Sequence, residues 1–99
     1  MTSVRLDSVV RRNPGISTAP LVDELVMLDL ERGAYYGLDE IATYIWDQID
    51  EPRNVSDLCT HLLEVFEVDL PTCERDVLEL LEWLHDKGLV HSDEDPPAA

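Results

Sequence analysis

Apolar residues recur along this chain at two periods, and the change falls at Leu38. Before it, Leu21, Leu25 and Met27 alternate with Val22, Val26, Leu28 and Leu30, the period of two expected of a strand with apolar groups on both faces. Glu31-Arg32-Gly33 interrupts the run with a glycine suited to positive φ. Ala34-Tyr35-Tyr36-Gly37-Leu38 then resumes it, so a β-hairpin is predicted. A weaker strand is predicted around Val4, Leu6, Val9 and Val10, ending near Arg12 ahead of the turn signal Asn13-Pro14-Gly15.

After Leu38 the period becomes about 3.6. Asp39 is a suitable N-cap, and Ile41, Ala42, Ile45, Trp46 and Ile49 share one side of a helix running from Glu40 to about Asp50, ahead of Pro52. Asn54 caps a second helix whose stripe is Val55, Leu58, Cys59, Leu62, Leu63 and Phe66. Asp69, Leu70 and Pro71 start a third, with Cys73, Val77, Leu80, Leu81 and Leu84 inward and Gly88 closing it. Leu89-Val90 is expected to fold back on the core as a strand or staple. The segregated order of three strands and then three helices means α+β. The expected architecture is winged helix-turn-helix-like, a three-stranded antiparallel sheet followed by three helices.

A chain of 99 residues holds one core, so residues 1–91 are expected to form one domain and residues 92–99, polar and proline-bearing, a disordered acidic tail. No apolar run reaches a membrane span, and Met1 to Asp7 lacks signal-peptide order, which implies a cytoplasmic protein. Cys59 and Cys73 fall on helical stripes and are expected to be reduced core thiols.

Charge changes the picture. The chain has 22 acidic and 7 basic residues, a formal net charge of -15. Residues 1–38 contribute -1 and the rest -14. Such a field repels phosphate and anionic lipid, so nucleic acid and membrane are excluded as partners. The third helix would read DNA in a winged helix, yet it carries Glu74, Asp76, Glu79, Glu82 and Asp86 against Arg75 and Lys87. Leu78 and Trp83 lie on opposite flanks of its core stripe, partly exposed. Tyr35 and Tyr36 point to opposite faces of the third strand. If that strand is a sheet edge, its unpaired backbone groups are a template for an added peptide strand. His61, His85 and His91 lack metal-ligand spacing with either cysteine, and no nucleophile motif or phosphate loop occurs. No catalytic residue, metal or cofactor is expected, and the chain is not read as an enzyme.

The passage Leu28-Asp29-Leu30-Glu31-Arg32-Gly33-Ala34-Tyr35-Tyr36-Gly37-Leu38-Asp39, followed by Ala42 and Ile45-Trp46, resembles the hairpin-to-helix passage of PqqD-like proteins. These are the peptide-recognition elements of pathways for ribosomally made, post-translationally modified peptides. Asp76-Val77, Leu80-Leu81, Leu84 and Gly88-Leu89-Val90 resemble the family's last helix and its exit. The similarity covers about residues 4–91, with Ala42 where the family often has glycine and Glu51-Pro52 where glycine is usual. The resemblance implies a leader-binding protein in which the leader adds to the third strand against the third helix. Carried over, Ala34, Tyr35, Tyr36 and Gly37 supply backbone pairing, and Arg75, Asp76, Leu78, Glu79, Glu82 and Trp83 are the candidate groove residues. It further implies a precursor (leader) peptide as partner, presented to a separate leader peptidase and a cyclase in lasso-peptide biosynthesis.

Two readings of another kind compete with it. One is a winged-helix regulatory or scaffold protein that binds another protein through its acidic helices. The other is an acidic DNA mimic that occupies a basic partner.

Overall fold

The computed structural model describes residues 4–20 and 25–93. In chain order these form β1 (Val9–Arg12), β2 (Ser17–Pro20), β3 (Leu25–Asp29), β4 (Ala34–Leu38), α1 (Glu40–Gln48), β5 (Arg53–Asn54), α2 (Val55–Val65), α3 (Leu70–Asp86) and β6 (Val90–Ser92). The strands make two antiparallel three-stranded sheets, ordered β5-β1-β6 and β2-β3-β4. The architecture is the expected antiparallel α+β with three helices.

The hairpin is β3 and β4, with Leu28 opposite Tyr35 and Met27 opposite Tyr36. Its turn is closed from within: the Asp29 carboxylate accepts the Arg32 N–H at 3.2 Å, and Gly33 takes φ 66°. The other strand of this sheet is not the Val4 to Arg12 segment but Ser17–Pro20, which pairs with β3. Ser-Thr-Ala-Pro has little apolar content and therefore no strand signal. It is tolerated because it forms an edge, where Pro20 forfeits no ladder bond. The early strand lies elsewhere. Beyond Arg12 the Asn13 turn is tied to the end of the chain, its N–H to Leu89 O at 2.9 Å and its Nδ2 to Gly88 O at 2.9 Å. β1 therefore pairs with β5 and β6. Leu21 and Val22, assigned to the hairpin, lie outside the described residues, as do residues 94–99 of the tail, whereas Ser92 ends β6.

Helix ends follow the sequence closely. Asp39 accepts Ala42 N–H at 2.8 Å, Asn54 accepts Ser56 N–H at 2.9 Å and Asp57 N–H at 3.3 Å, and Asp69 accepts Thr72 N–H at 3.3 Å. Each satisfies donors that a first turn leaves unpaired. Helix α1 has no basic residue in its last turn. Its terminal carbonyls are met from outside, by Arg12 Nε on Trp46 O at 2.7 Å and by Arg53 Nε on Gln48 O. The core joins Val10, Met27, Ile45, Trp46, Leu58, Leu62, Val77, Leu81, Leu84 and Leu89, all fully or almost fully buried. Leu89 and Val90 do fold back on it.

Candidate functional site: the groove between β4 and α3

Strand β4 pairs with β3 on one side only, so its other edge is free among the described residues. Along it the side chains alternate: Tyr35 is 76% exposed on the outer face, while Tyr36 is half-buried on the inner face and packs against the core. The Tyr36 ring meets Trp83 of α3 edge-on, with centroids 5.3 Å apart and planes at 89°. Trp83 is 40% exposed and thus forms an accessible wall.

That contact distinguishes the two flanks of α3. At about 100° per residue, Asp76 lies two turns before Trp83 and only about 20° from it around the helix, with Glu79 and Leu80 within about 60°. These residues share the flank of α3 that carries Trp83. Leu78 and Glu82 lie about 140° and 100° away on the other side. There Glu82 Oε2 accepts the Val4 N–H at 3.0 Å, and Leu78 is half-buried against the core. Arg75 is exposed beside Asp76, Nε to Oδ1 3.4 Å. The candidate residues chosen from sequence are therefore split: Trp83 meets β4 at Tyr36, Asp76 and Glu79 lie on the same flank of the helix, and Leu78 and Glu82 lie on the other.

Arg32 joins the hairpin to the far end of α3. Its Nη1 donates to Lys87 O at 2.7 Å while Nε lies 3.8 Å from Asp29 Oδ2. Gly88, at φ 75°, leaves room for the guanidinium, since a Cβ there would come within 3.0 Å of Nη2. The groove is thus tied at one end by Arg32 and lined at its middle by Tyr36 and Trp83.

Sequence reasoning missed the other end. A cavity of about 230 Å³ opens between Asp39, Ile41, Ala42 and Ile45 of the β4–α1 corner, Leu62, Phe66 and Val68, and Cys73, Asp76, Val77 and Leu80 of α3. Ile41, assigned to the core stripe, is instead exposed. It stands in the first turn of α1 and lines this cavity. The available signal was Val68, an apolar residue between the second and third helical stripes with a place on neither.

The thiols belong to the packing between α2 and α3. Cys59 and Cys73 are buried and free, with Cys73 Sγ 3.9 Å from Cys59 O. Burial, and then the neighbouring Cys73, pushes the Cys59 thiol up to about 12, and burial raises Cys73 as well. Neither is a nucleophile at neutral pH. Ligand atoms of Glu82, His85 and Asp86 come within 4.8 Å of one another, but Glu82 is already engaged by the Val4 N–H. Among the described residues no helix is long and apolar enough to cross a membrane.

Known proteins with this arrangement were found by sequence and by fold. Two curated proteins called PqqA binding protein, from Xanthomonas euvesicatoria pv. vesicatoria and Xanthomonas axonopodis pv. citri, are each 34% identical over 68 residues, 69% of this chain and 72% of theirs. TbiB1, solved in complex with the TbiA(beta) leader peptide, superposes with TM-score 0.74 at 29% identity, covering 87% of this chain and 98% of that one. Lasso peptide synthetase B1, complexed with its leader peptide, gives TM-score 0.74 at 28% identity over 83% and 96%. The PqqD truncation of Methylobacterium extorquens PqqCD, a stand-alone RiPP recognition element, shares the fold at TM-score 0.77 and 23% identity, over 91% and 96%. The family described as coenzyme PQQ synthesis protein D (PqqD) matches residues 24–90, from the hairpin to β6, and this chain belongs to it.

Proposed function

We propose that this chain binds the leader segment of a ribosomally made precursor peptide and presents it to separate enzymes, a leader peptidase and a cyclase, in lasso-peptide biosynthesis. The leader adds as a strand to the free edge of β4, where Ala34 to Gly37 offer backbone donors and acceptors. The observation that carries this reading is the unpaired edge of β4 beside the flank of α3 bearing Trp83. It is supported by two structural relatives above 25% identity, both solved with a leader peptide bound. The chain acts by binding and needs no catalytic group for that. Its work belongs in the cytoplasm, where ribosomal precursors are made.

Titrating an isotope-labelled sample with a synthetic leader of the precursor encoded beside this chain tests the reading. Amides of residues 34–37 and 76–83 are expected to shift together. Shifts confined to β1, β5 and β6 would reject the site.

A further inference from the structure

The connection between α2 and α3 is apolar where it faces solvent, and it plays no part in the strand pairing proposed above. Of the seven large apolar residues exposed among the described residues, three fall within six consecutive positions: Val65 at 54%, Val68 at 37% and Leu70 at 45%. Val65 ends α2 and Leu70 begins α3, and neither lines the cavity that Val68 borders. The corner is held in place by Phe66. Its ring meets Tyr44 of α1 edge-on with centroids 5.6 Å apart, its N–H donates to Leu62 O at 2.8 Å, and its carbonyl accepts the Val68 N–H at 3.1 Å. A preformed apolar patch of this kind is a surface that a partner covers at low ordering cost.

The rim of the patch has one sign of charge. Glu64, Glu67 and Asp69 are exposed among the apolar residues, and from Asn54 to Glu74 the chain has five acids and no Lys or Arg. Among the described residues no ion pair engages Glu64 or Glu67. We propose that this corner docks the separate leader peptidase, through an apolar patch on that enzyme edged by Lys or Arg. The inference rests on leader binding as read above and adds where the processing enzyme meets the chain. The peptidase is the occupant because its substrate is the leader itself, the segment this chain holds, whereas a cyclase works on the remainder of the precursor. A guest strand is not the occupant, since the corner has no strand edge to pair with. A second copy is a poor one, because at net charge -15 it brings the same carboxylates to the rim. Leu70 also lies about 140° from Trp83 around α3, so docking here leaves the groove open and does not require a bound leader.

Calorimetric titration of this chain with the leader and with the leader peptidase encoded beside it, each alone, tests the proposal. The peptidase is expected to associate with the leader-free chain, and more weakly as salt rises. The double variant Val65→Ser with Leu70→Ser is expected to weaken that association at least about tenfold, with leader affinity and helical spectrum unchanged. Should it fail to fold, Glu64→Lys with Glu67→Lys, which removes no apolar contact, is expected to weaken the association about tenfold at low salt. If the wild-type chain binds no leader, both the leader reading and this proposal fail. If it binds leader, and the peptidase does not associate or associates as tightly with these variants, this proposal alone is overturned. A dimer of the chain alone that the Val65→Ser, Leu70→Ser variant dissolves would give the corner to a second copy and overturn it as well.

Discussion

Tyr36 stands edge-on to Trp83 at 5.3 Å, and this ring pair bridges a strand with a free margin and a helix with an exposed flank. Edge-to-face pairs contribute about 0.5 to 1.5 kcal/mol beyond their buried area. Because Trp83 is 40% exposed, replacing it leaves the core intact. Trp83→Ser is therefore expected to lower stability by roughly 1.5 to 3.5 kcal/mol, the ring pair together with the apolar area it buries, and to leave the chain folded. It is expected to weaken leader binding about tenfold or more, as loss of a central aromatic anchor does. Thermal unfolding and calorimetric titration on one preparation measure the two effects, and equal affinity for the variant would remove Trp83 from the groove.

Leu78 and Glu82 should behave otherwise. Both lie on the flank of α3 turned from β4, where Glu82 receives the Val4 N–H. Glu82→Gln keeps an acceptor there and is expected to leave leader affinity unchanged. Leu78→Asp is expected to destabilise the fold, because Leu78 packs on the core. Denaturant midpoints compared with binding constants distinguish this from a groove role for either residue.

The contrast between the two flanks shows what could be read from the sequence. Periodicity fixed which residues of α3 turn inward, since Cys73, Val77, Leu81 and Leu84 are buried as the stripe requires. It could not decide the side on which β4 lies, because that depends on where the hairpin docks. Docking is set by long-range contacts such as Arg32 to Lys87 O, 55 residues apart. The caps Asp39, Asn54 and Asp69 and the glycines at 33 and 88 were legible because local geometry demands those residue types. Strand β2 was not, since its reason to be extended is its partner β3 rather than its own composition.

Arg32 offers a test of how the hairpin is held against α3. Its side chain is 60% exposed, so the ion pair with Asp29 adds little stability by itself. The bond to Lys87 O, however, fixes the distance between the start of β4 and the end of α3. Arg32→Ala is expected to shift the melting temperature by only a few degrees. It should also weaken the nuclear Overhauser contact between the Tyr36 and Trp83 rings and lower leader affinity several-fold. An unaltered ring contact would show that the hairpin keeps its place without the guanidinium.

Burial of the thiols gives a prediction independent of any ligand. Cys59 is pushed up to about 12, first by burial and then by Cys73, so its thiolate is negligible at pH 8. The folded chain should resist a thiol-reactive dye at pH 8 and react at both cysteines once unfolded in denaturant. Because an acid whose folded pKa is raised binds its proton more tightly when folded, stability is expected to fall as pH rises past the ordinary thiol value of 9.0. Prompt labelling of native protein at pH 8 would mean that α2 and α3 separate readily.

Asp69 makes the opposite case at acid pH. The Thr72 hydroxyl, at 3.0 Å, and then the Thr72 N–H hold its carboxyl below the usual 3.8. A depressed folded pKa stabilises the fold above the unfolded value, and that contribution is lost as pH falls through the folded one. The cap should therefore operate fully at pH 6 and fade below pH 3.8. Asp69→Ala is expected to lower stability at pH 6, as loss of an N-cap does, and to narrow its deficit toward pH 2. Urea unfolding of both proteins at the two pH values measures the difference. A deficit that stayed constant with pH would mean that the carboxylate's charge plays no part in starting α3.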